Sequence, residues 1–194
     1  MASPEVRCRD HRPRGNAALR AGDNPRVATI PDVELLTVGY DHPDVALLTE
    51  QAQHLYLRLY GGHVDSPVAV DEFAAPRGGF VVAYDTDRPV AMGGWRLVPP
   101  VPPLPGRRPA EIKRMFVAPD RRRRGLARIV LAHLETGAAS GGADWMVLET
   151  GVPQVEAIVL YRDCGYADVA KFGHYADSPL SVSLGKPLRT RRPR

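Results

Sequence analysis

The sequence predicts an α/β fold: one mixed sheet with helices on both faces. Three observations carry this. The run GGFVVAYDTDRPVAMGGWRLV (78–98) holds two apolar, β-branched stretches around a short Asp/Pro turn, the pattern of an antiparallel hairpin. Further on, strand-like and helix-like periods alternate, which places helices against a sheet that is partly parallel. Finally, 194 residues that are 44% hydrophobic and 25% charged can bury a core without disulfide staples, which excludes collagen-like, coiled-coil and wholly disordered chains.

Each element follows in order. Residues 1–29, rich in Arg, Pro, Gly and Asp with no apolar period, read as a flexible basic leader; the fold is expected over 30–188, and 189–194 is a basic tail. VELLTVGY (33–40) is the first strand. Asp41 reads as the cap of a helix with Pro43 in its first turn, Leu47, Leu48, Leu55 and Leu59 on its apolar face, and Gly61-Gly62 as its stop. After the hairpin, PPVPPLPGRRP (99–109) is a surface loop, because proline removes donors that a central strand or helix needs. EIKRMFV (111–117) is a buried strand by its β-branched and aromatic content. A helix with Leu126, Ile129, Val130 and Leu134 inward follows, ended by Gly137 and Gly141-Gly142. WMVLET (145–150) is a strand, VEAIVLYRDCGY (155–166) a helix closing at Gly165, and SPLSVSLGKPL (178–188) a final strand. No internal repeat is visible.

The net charge of +4 and pI of 9.3 first suggest a nucleic-acid partner. The distribution argues otherwise. The leader carries six Arg against three acids and the tail four Arg, so residues 30–188 are net −3 and no continuous basic face follows. Cys8 and Cys164 match no zinc, redox or disulfide spacing, which fits a reducing, cytoplasmic setting, and Cys164 reads as core rather than nucleophile. The six histidines lack metal-ligand spacing, so no metal site is expected. No window reaches the roughly 18 apolar residues of a membrane span, and the arginine-studded start lacks a secretory apolar run.

The chemistry concentrates in EIKRMFVAPDRRRRGLARIVL (111–131). A buried strand runs into an Arg- and Gly-rich turn, and a helix opens at once. Helix N-termini present unpaired N–H groups and the positive end of a dipole, so they bind phosphate-like anions. Gly125 clears the place where a ligand would approach the backbone, Ala127 keeps the next turn small, and residues 122–124 add three cations. The residues therefore describe a pyrophosphate site. The segment lacks the Gly-Lys-Ser/Thr ending of a Walker A loop and the first two glycines of a Rossmann fingerprint.

Arg122-Arg123-Arg124-Gly125-Leu126-Ala127 resembles the Arg/Gln-x-x-Gly-x-Gly/Ala motif of the GNAT superfamily of acyl-CoA-dependent N-acetyltransferases. Gln154-Val155-Glu156-Ala157-Ile158-Val159-Leu160-Tyr161, followed by Gly165-Tyr166, resembles that family's Asn-x-x-Ala-x-x-x-Tyr helix, with Gln154 in place of Asn as the one departure. The two motifs stand in order and at family spacing, and the resemblance covers roughly 33–186. It implies a GNAT-like fold of about six to seven strands, mostly antiparallel, with central parallel strands that splay apart. It also implies acetyl-CoA as co-substrate. Backbone of Met115, Phe116 and Val117 would bind the pantetheine arm, and amides from Arg122 to Arg128 the pyrophosphate. Gln154, Ala157 and Tyr161 would complete that site.

Acyl transfer to an amine needs a base to take the ammonium proton. By the resemblance Glu111, eleven residues before Arg122, holds that place, with Glu149 on the facing strand as the rival, and Tyr161 protonates the departing thiolate. Direct transfer needs no covalent intermediate.

The acceptor is expected opposite the donor, among 61–73 with Asp65, Asp71 and Glu72, and the proline loop. The acidic body points to a cationic amine acceptor, expected to be a small molecule with a protein lysine as the alternative. Arg107 and Arg108 are candidates for an anionic part of the acceptor or the adenosine phosphate of CoA. Tyr40, Tyr60 and Trp95 could line a pocket, with core packing the commoner use of each. A non-catalytic acyl-CoA sensor and a basic-tailed nucleic-acid binder are the competing classes; a monomer and a homodimer fit equally.

Overall fold

The computed structural model describes residues 33–64, 66–100, 104 and 107–188; the leader with Cys8, Asp65, much of the proline loop and the basic tail lie outside the described residues. The chain forms β1 (Val33–Val38), α1 (Pro43–Tyr60), a 3-10 turn (Val70–Phe73), β2 (Gly78–Asp85), β3 (Arg88–Leu97) and β4 (Pro109–Val117). A second 3-10 turn (Pro119–Arg121), α2 (Leu126–Ser140), β5 (Trp145–Gly151), α3 (Val155–Asp163), β6 (Ala167–Asp168) and β7 (Ser181–Pro187) complete it. The sheet has seven strands in the order β1-β2-β3-β4-β5-β7-β6. Its ladders are antiparallel except β4–β5, which is parallel. This is the mixed sheet that the sequence predicts.

Both faces of the sheet are buried, and β2 shows how. Val81 and Ala83 point into one core with Val130, Leu134 and Ala138 of α2 and Tyr161 of α3. Phe80 and Val82 point into a second core with Val45, Leu48 and Ala52 of α1 and Phe73. A strand buried on both sides reads as a continuous apolar run, as FVVA does.

Several local expectations change. The N-cap of α1 is His42, whose Nδ1 accepts the Asp44 amide at 3.2 Å, rather than Asp41. Asp41 sits in the preceding turn, closed by the His42 amide on the Gly39 carbonyl. The buried stripe of α1 runs through Val45, Leu48 and Ala52, and Leu47 is 46% exposed. On α2 Leu131 is fully buried and Ile129 only half-buried.

Gly137 does not end α2. It lies within the helix because a Cβ there would stand 2.7 Å from the Trp95 indole nitrogen, so glycine lets the helix close on the ring. Trp95 is accordingly a core residue. β4 starts at Pro109, inside the expected loop, since the first residue of a strand can spare its N–H. The final strand begins at Ser181, three residues later than expected. The two-residue β6 was not expected at all.

Candidate active site

β4 and β5 pair only over 109–112 against 145–148. Beyond that point β4 stays on β3, β5 stays on β7, and the two strands part. A bulge drives the parting: between Met92 and Gly94 the β3–β4 register slips, and Arg114 sits there at φ 57°. A bulge bends a strand and sharpens its twist. The parted strands open a cleft of about 740 Å³, bounded by the end of β4, the turn into α2, α3 and the second half of α1.

The head of α2 closes one end of this cleft. Gly125 is its N-cap in the left-handed conformation (φ 83°), with no side chain capping the first turn. The Arg121 amide is bonded to Ala118, the Arg122 amide reaches Pro119 at 3.5 Å, and the Arg128 amide bonds the Gly125 carbonyl at 3.0 Å. The amides of residues 123–127 thus have no partner among the described residues. Arg123 is also held at positive φ (62°), a costly geometry for a side-chain-bearing residue. The turn is anchored from behind by Arg121–Asp85 and Arg88–Asp120, both 2.8 Å.

At the floor of the cleft lies Tyr161, buried, with its hydroxyl 3.6 Å from Met115 Sδ. Burial pushes its phenol well above the usual tyrosine range, with smaller contributions from Tyr56 and Cys164, so the hydroxyl keeps its proton. Arg122 lies over the Phe116 ring at 6.0 Å and donates Nε–H to the Val117 carbonyl at 3.2 Å. Arg128 pairs with Asp163 at 3.0 Å across to the end of α3.

The α1-facing side of β4 is charged. Both Glu111 oxygens are taken: Arg96 reaches Oε2 at 2.8 Å and Lys113 reaches Oε1 at 2.7 Å. Arg96 also pairs with Glu72, which fixes the Val70–Phe73 turn over the sheet. Arg114 donates to the Tyr40 hydroxyl (3.2 Å) and to the Ser66 carbonyl (2.8 Å), tying down the segment after α1.

Glu149, across the gap on β5, is different. Its side chain is 5% exposed, Lys113 Nζ stands 3.7 Å away, and neither carboxylate oxygen makes a side-chain hydrogen bond of normal length. Burial raises its carboxyl above the ordinary value; Lys113 opposes this, Glu111 adds to it, and the Tyr175 amide opposes it more weakly.

Of the residues expected at a donor site, 115–117, Arg122, Arg123, 125–128, Gln154, Ala157 and Tyr161 all border the cleft; the Arg124 side chain does not. The Gln154 side-chain amide donates to the Tyr60 hydroxyl at 3.0 Å, so Tyr60 adjoins the cleft through Gln154 and belongs to neither core cluster. Arg107 and Arg108 are at the wrong end. They adjoin Asp144 and Trp145 at the start of β4 and β5, the opposite end of the strand from the cleft. Lys113, Arg114, Arg96 and Tyr56 were missed. The signal was three charges, Glu111, Lys113 and Arg114, inside one central strand, where each charge demands a partner. Among the described residues no three His, Cys, Asp or Glu side chains gather as a metal site, and no helix is long and apolar enough to cross a membrane.

Residues 46–166 match the acetyltransferase (GNAT) family. An IAA acetyltransferase of Azospirillum brasilense is 45% identical over 78 residues, 40% of this chain and 51% of that protein. The chain spans about half the length of the curated relatives it matches. Among solved structures, a proposed acyl-CoA N-acyltransferase of Klebsiella pneumoniae superposes with a TM-score of 0.67 at 23% identity, covering 81% of this chain and 98% of that one. A GNAT-family acetyltransferase of Staphylococcus aureus superposes with a TM-score of 0.61 at 16% identity, covering 80% and 100%. These two likenesses show the fold.

Proposed function

The chain belongs to the GNAT acetyltransferase family, and from that premise we propose that it transfers the acetyl group of acetyl-CoA directly to a primary amine, with Glu149 as base and Tyr161 as acid. The observation that carries this reading is the meeting of two unsatisfied surfaces in one cleft: an unpaired edge of β4 and an uncapped helix head.

Both fit the donor. The edge of β4 at Met115, Phe116 and Val117 offers backbone groups to the amides of a pantetheine arm, as an added strand would. The free amides of residues 123–127 suit the pyrophosphate, and Arg122 and Arg123 add charge beside it. When bound, acetyl-CoA supplies an acyl group activated as a thioester. Everything else falls to side chains. Tyr161, kept protonated by burial, can donate to the departing sulfur.

Of the two candidate bases, neither of which lines the cleft itself, Glu149 is the one we favour. The resemblance implied Glu111, but an amine would have to displace Arg96 or Lys113 to reach it. Glu149 has only the longer Lys113 contact, at 3.7 Å, with no hydrogen bond of normal length on either oxygen, and its raised pKa lies closer to the working pH, where a base is most effective. Glu111 then serves the charge network. The acceptor enters from the α1 side, past Tyr56 and Tyr60, as a small-molecule amine.

Calorimetric titration with acetyl-CoA, CoA and ADP, followed by thiol-release assays over an amine panel, tests the proposal. Micromolar-range binding that needs the pyrophosphate, with amine-dependent CoA release, is expected. Tight binding with no release for any amine would instead favour an acyl-CoA sensor, and no binding of any acyl-CoA would overturn the donor site.

A further inference from the structure

The alternation of β4 puts Glu111 and Lys113 on one face, and the parallel register sets Glu111 opposite Val147. One more paired step would set Lys113 opposite Glu149. The ladder stops just short of that step, at Ile112 and Leu148. Lys113 therefore stands at the mouth of the wedge with a carboxylate on either side: Glu111 on its own strand at 2.7 Å, Glu149 across the gap at 3.7 Å. All three side chains are largely buried, with 4%, 11% and 5% exposure for Glu111, Lys113 and Glu149.

We propose that Glu111 and Lys113 act as a positioning pair: Glu111 keeps the Lys113 ammonium docked on itself at 2.7 Å, so that Glu149 is left with only the longer contact at 3.7 Å. This rests on the reading of Glu149 as base. A lysine ammonium is a point charge on a flexible stem, able to re-dock on a new carboxylate when the old one is removed. At these exposures an ångström of displacement changes the attraction substantially. The parting of β4 and β5 that opens the donor cleft is thus the same feature that draws the cation away from the base.

Other groups facing Glu149 are few. Ser183 is its cross-strand partner on β7, with a buried hydroxyl that has no partner among the described residues. The backbone at Gly173 lies against the carboxyl, since a Cβ there would stand 2.7 Å from Oε2, and the Tyr175 amide approaches it from the same segment. From α1, the Tyr60 hydroxyl abuts Gly151, two residues further along β5. Among the described residues Lys113 is the cation and Glu111 the other acid that act on Glu149.

Removing either member of the pair should therefore move the titration of Glu149 in opposite directions. Lys113→Met removes the ammonium that opposes burial and raises its pKa; Glu111→Gln removes a repelling charge, frees the ammonium, and lowers it. The test follows side-chain carboxyl titrations by carbon NMR in the full chain without substrates, with Glu149→Gln to assign the resonance. A displacement of about half a pH unit or more, upward in Lys113→Met and downward in Glu111→Gln, is expected. Lys113→Arg should stay near the wild type.

The acid limb of amine-dependent CoA release should move the same way as the NMR titration, because activity is lost once the base is protonated. Glu111→Gln removes the carboxylate that Arg96 and Lys113 share and is the variant at risk of not folding. Lys113→Met leaves Glu111 paired with Arg96, so it decides the matter alone if needed. An unmoved titration in Lys113→Met, or movement in the same direction in both variants, would overturn the pairing. If the titrations move as expected while Glu149→Gln keeps wild-type turnover, the base assignment fails and the pairing stands.

Discussion

The two sides of β4 are built from different materials. Towards α2 and α3 the strand presents its bare backbone edge and the apolar Met115 and Val117, and the site is finished by amides at the head of a helix. Towards α1 it presents Glu111 and Lys113, joined to Arg96, Glu72 and Glu149 in a network of side-chain charges, and Arg114, bonded to the Tyr40 hydroxyl and the Ser66 carbonyl. A site made of backbone survives most substitutions and holds whatever carries the same phosphate and amide groups. A charge network can be rewritten residue by residue while the sheet stays the same. The first suits a donor shared across a family, and the second an acceptor particular to one member.

The largest effect should come from the charged side. Glu149→Gln is expected to lower kcat by about 10²–10⁴ with acetyl-CoA affinity within threefold of the wild type. An equal loss of binding would erase the distinction between the two sides. Tyr161→Phe should cost roughly 10² in kcat. Its ring stays packed and, among the described residues, its hydroxyl bonds only Met115 Sδ, so thermal unfolding should be unmoved. Gly125→Glu attacks the backbone side: a side chain is forced to φ 83° and a carboxylate is set beside the phosphates. Affinity for acetyl-CoA should fall roughly tenfold or more, while turnover at saturation changes little.

Smaller still is a stability signature. A carboxyl raised by burial is favoured neutral in the fold, so it costs nothing below the unfolded carboxylate value. The cost grows as pH rises through the raised value and stays constant above it. Glu149→Gln should therefore melt higher than the wild type at neutral pH and level with it in acid. Last, Gly137→Ala gains about 1 kcal/mol of helix propensity but drives a methyl into the Trp95 indole, an overpacking worth about 1–3 kcal/mol. A small net fall in Tm with unchanged binding and turnover would show that α2 has a structural side independent of both sites.

How much of this could be read in the sequence follows the same division. The hairpin, the helix periods and the Arg-Gly helix head are local patterns, and the structure has all three. Even there, short-range rules misplaced details. Histidine rather than aspartate caps α1, and Gly137 answers to a tryptophan from a distant strand and not to the end of its helix. The charge network was hidden for a deeper reason. Its members come from three strands and a 3-10 turn, and their meeting depends on register and on the bulge at Arg114, which no local pattern announces. What the sequence did show was three charged residues in a strand with apolar neighbours, a local contradiction that only a site or a buried network resolves.

The interrupted ladder also makes β4 an edge strand in the middle of a sheet. Its neighbour is missing by design over residues 113–117, so the amides there that point towards β5 have nothing to protect them from solvent deuterons. They should exchange quickly in the free protein, although the strand is central and its β3-facing amides are slow. Acetyl-CoA would then act as a removable eighth strand, and its arrival should appear as selective protection of alternate β4 amides before any chemistry occurs.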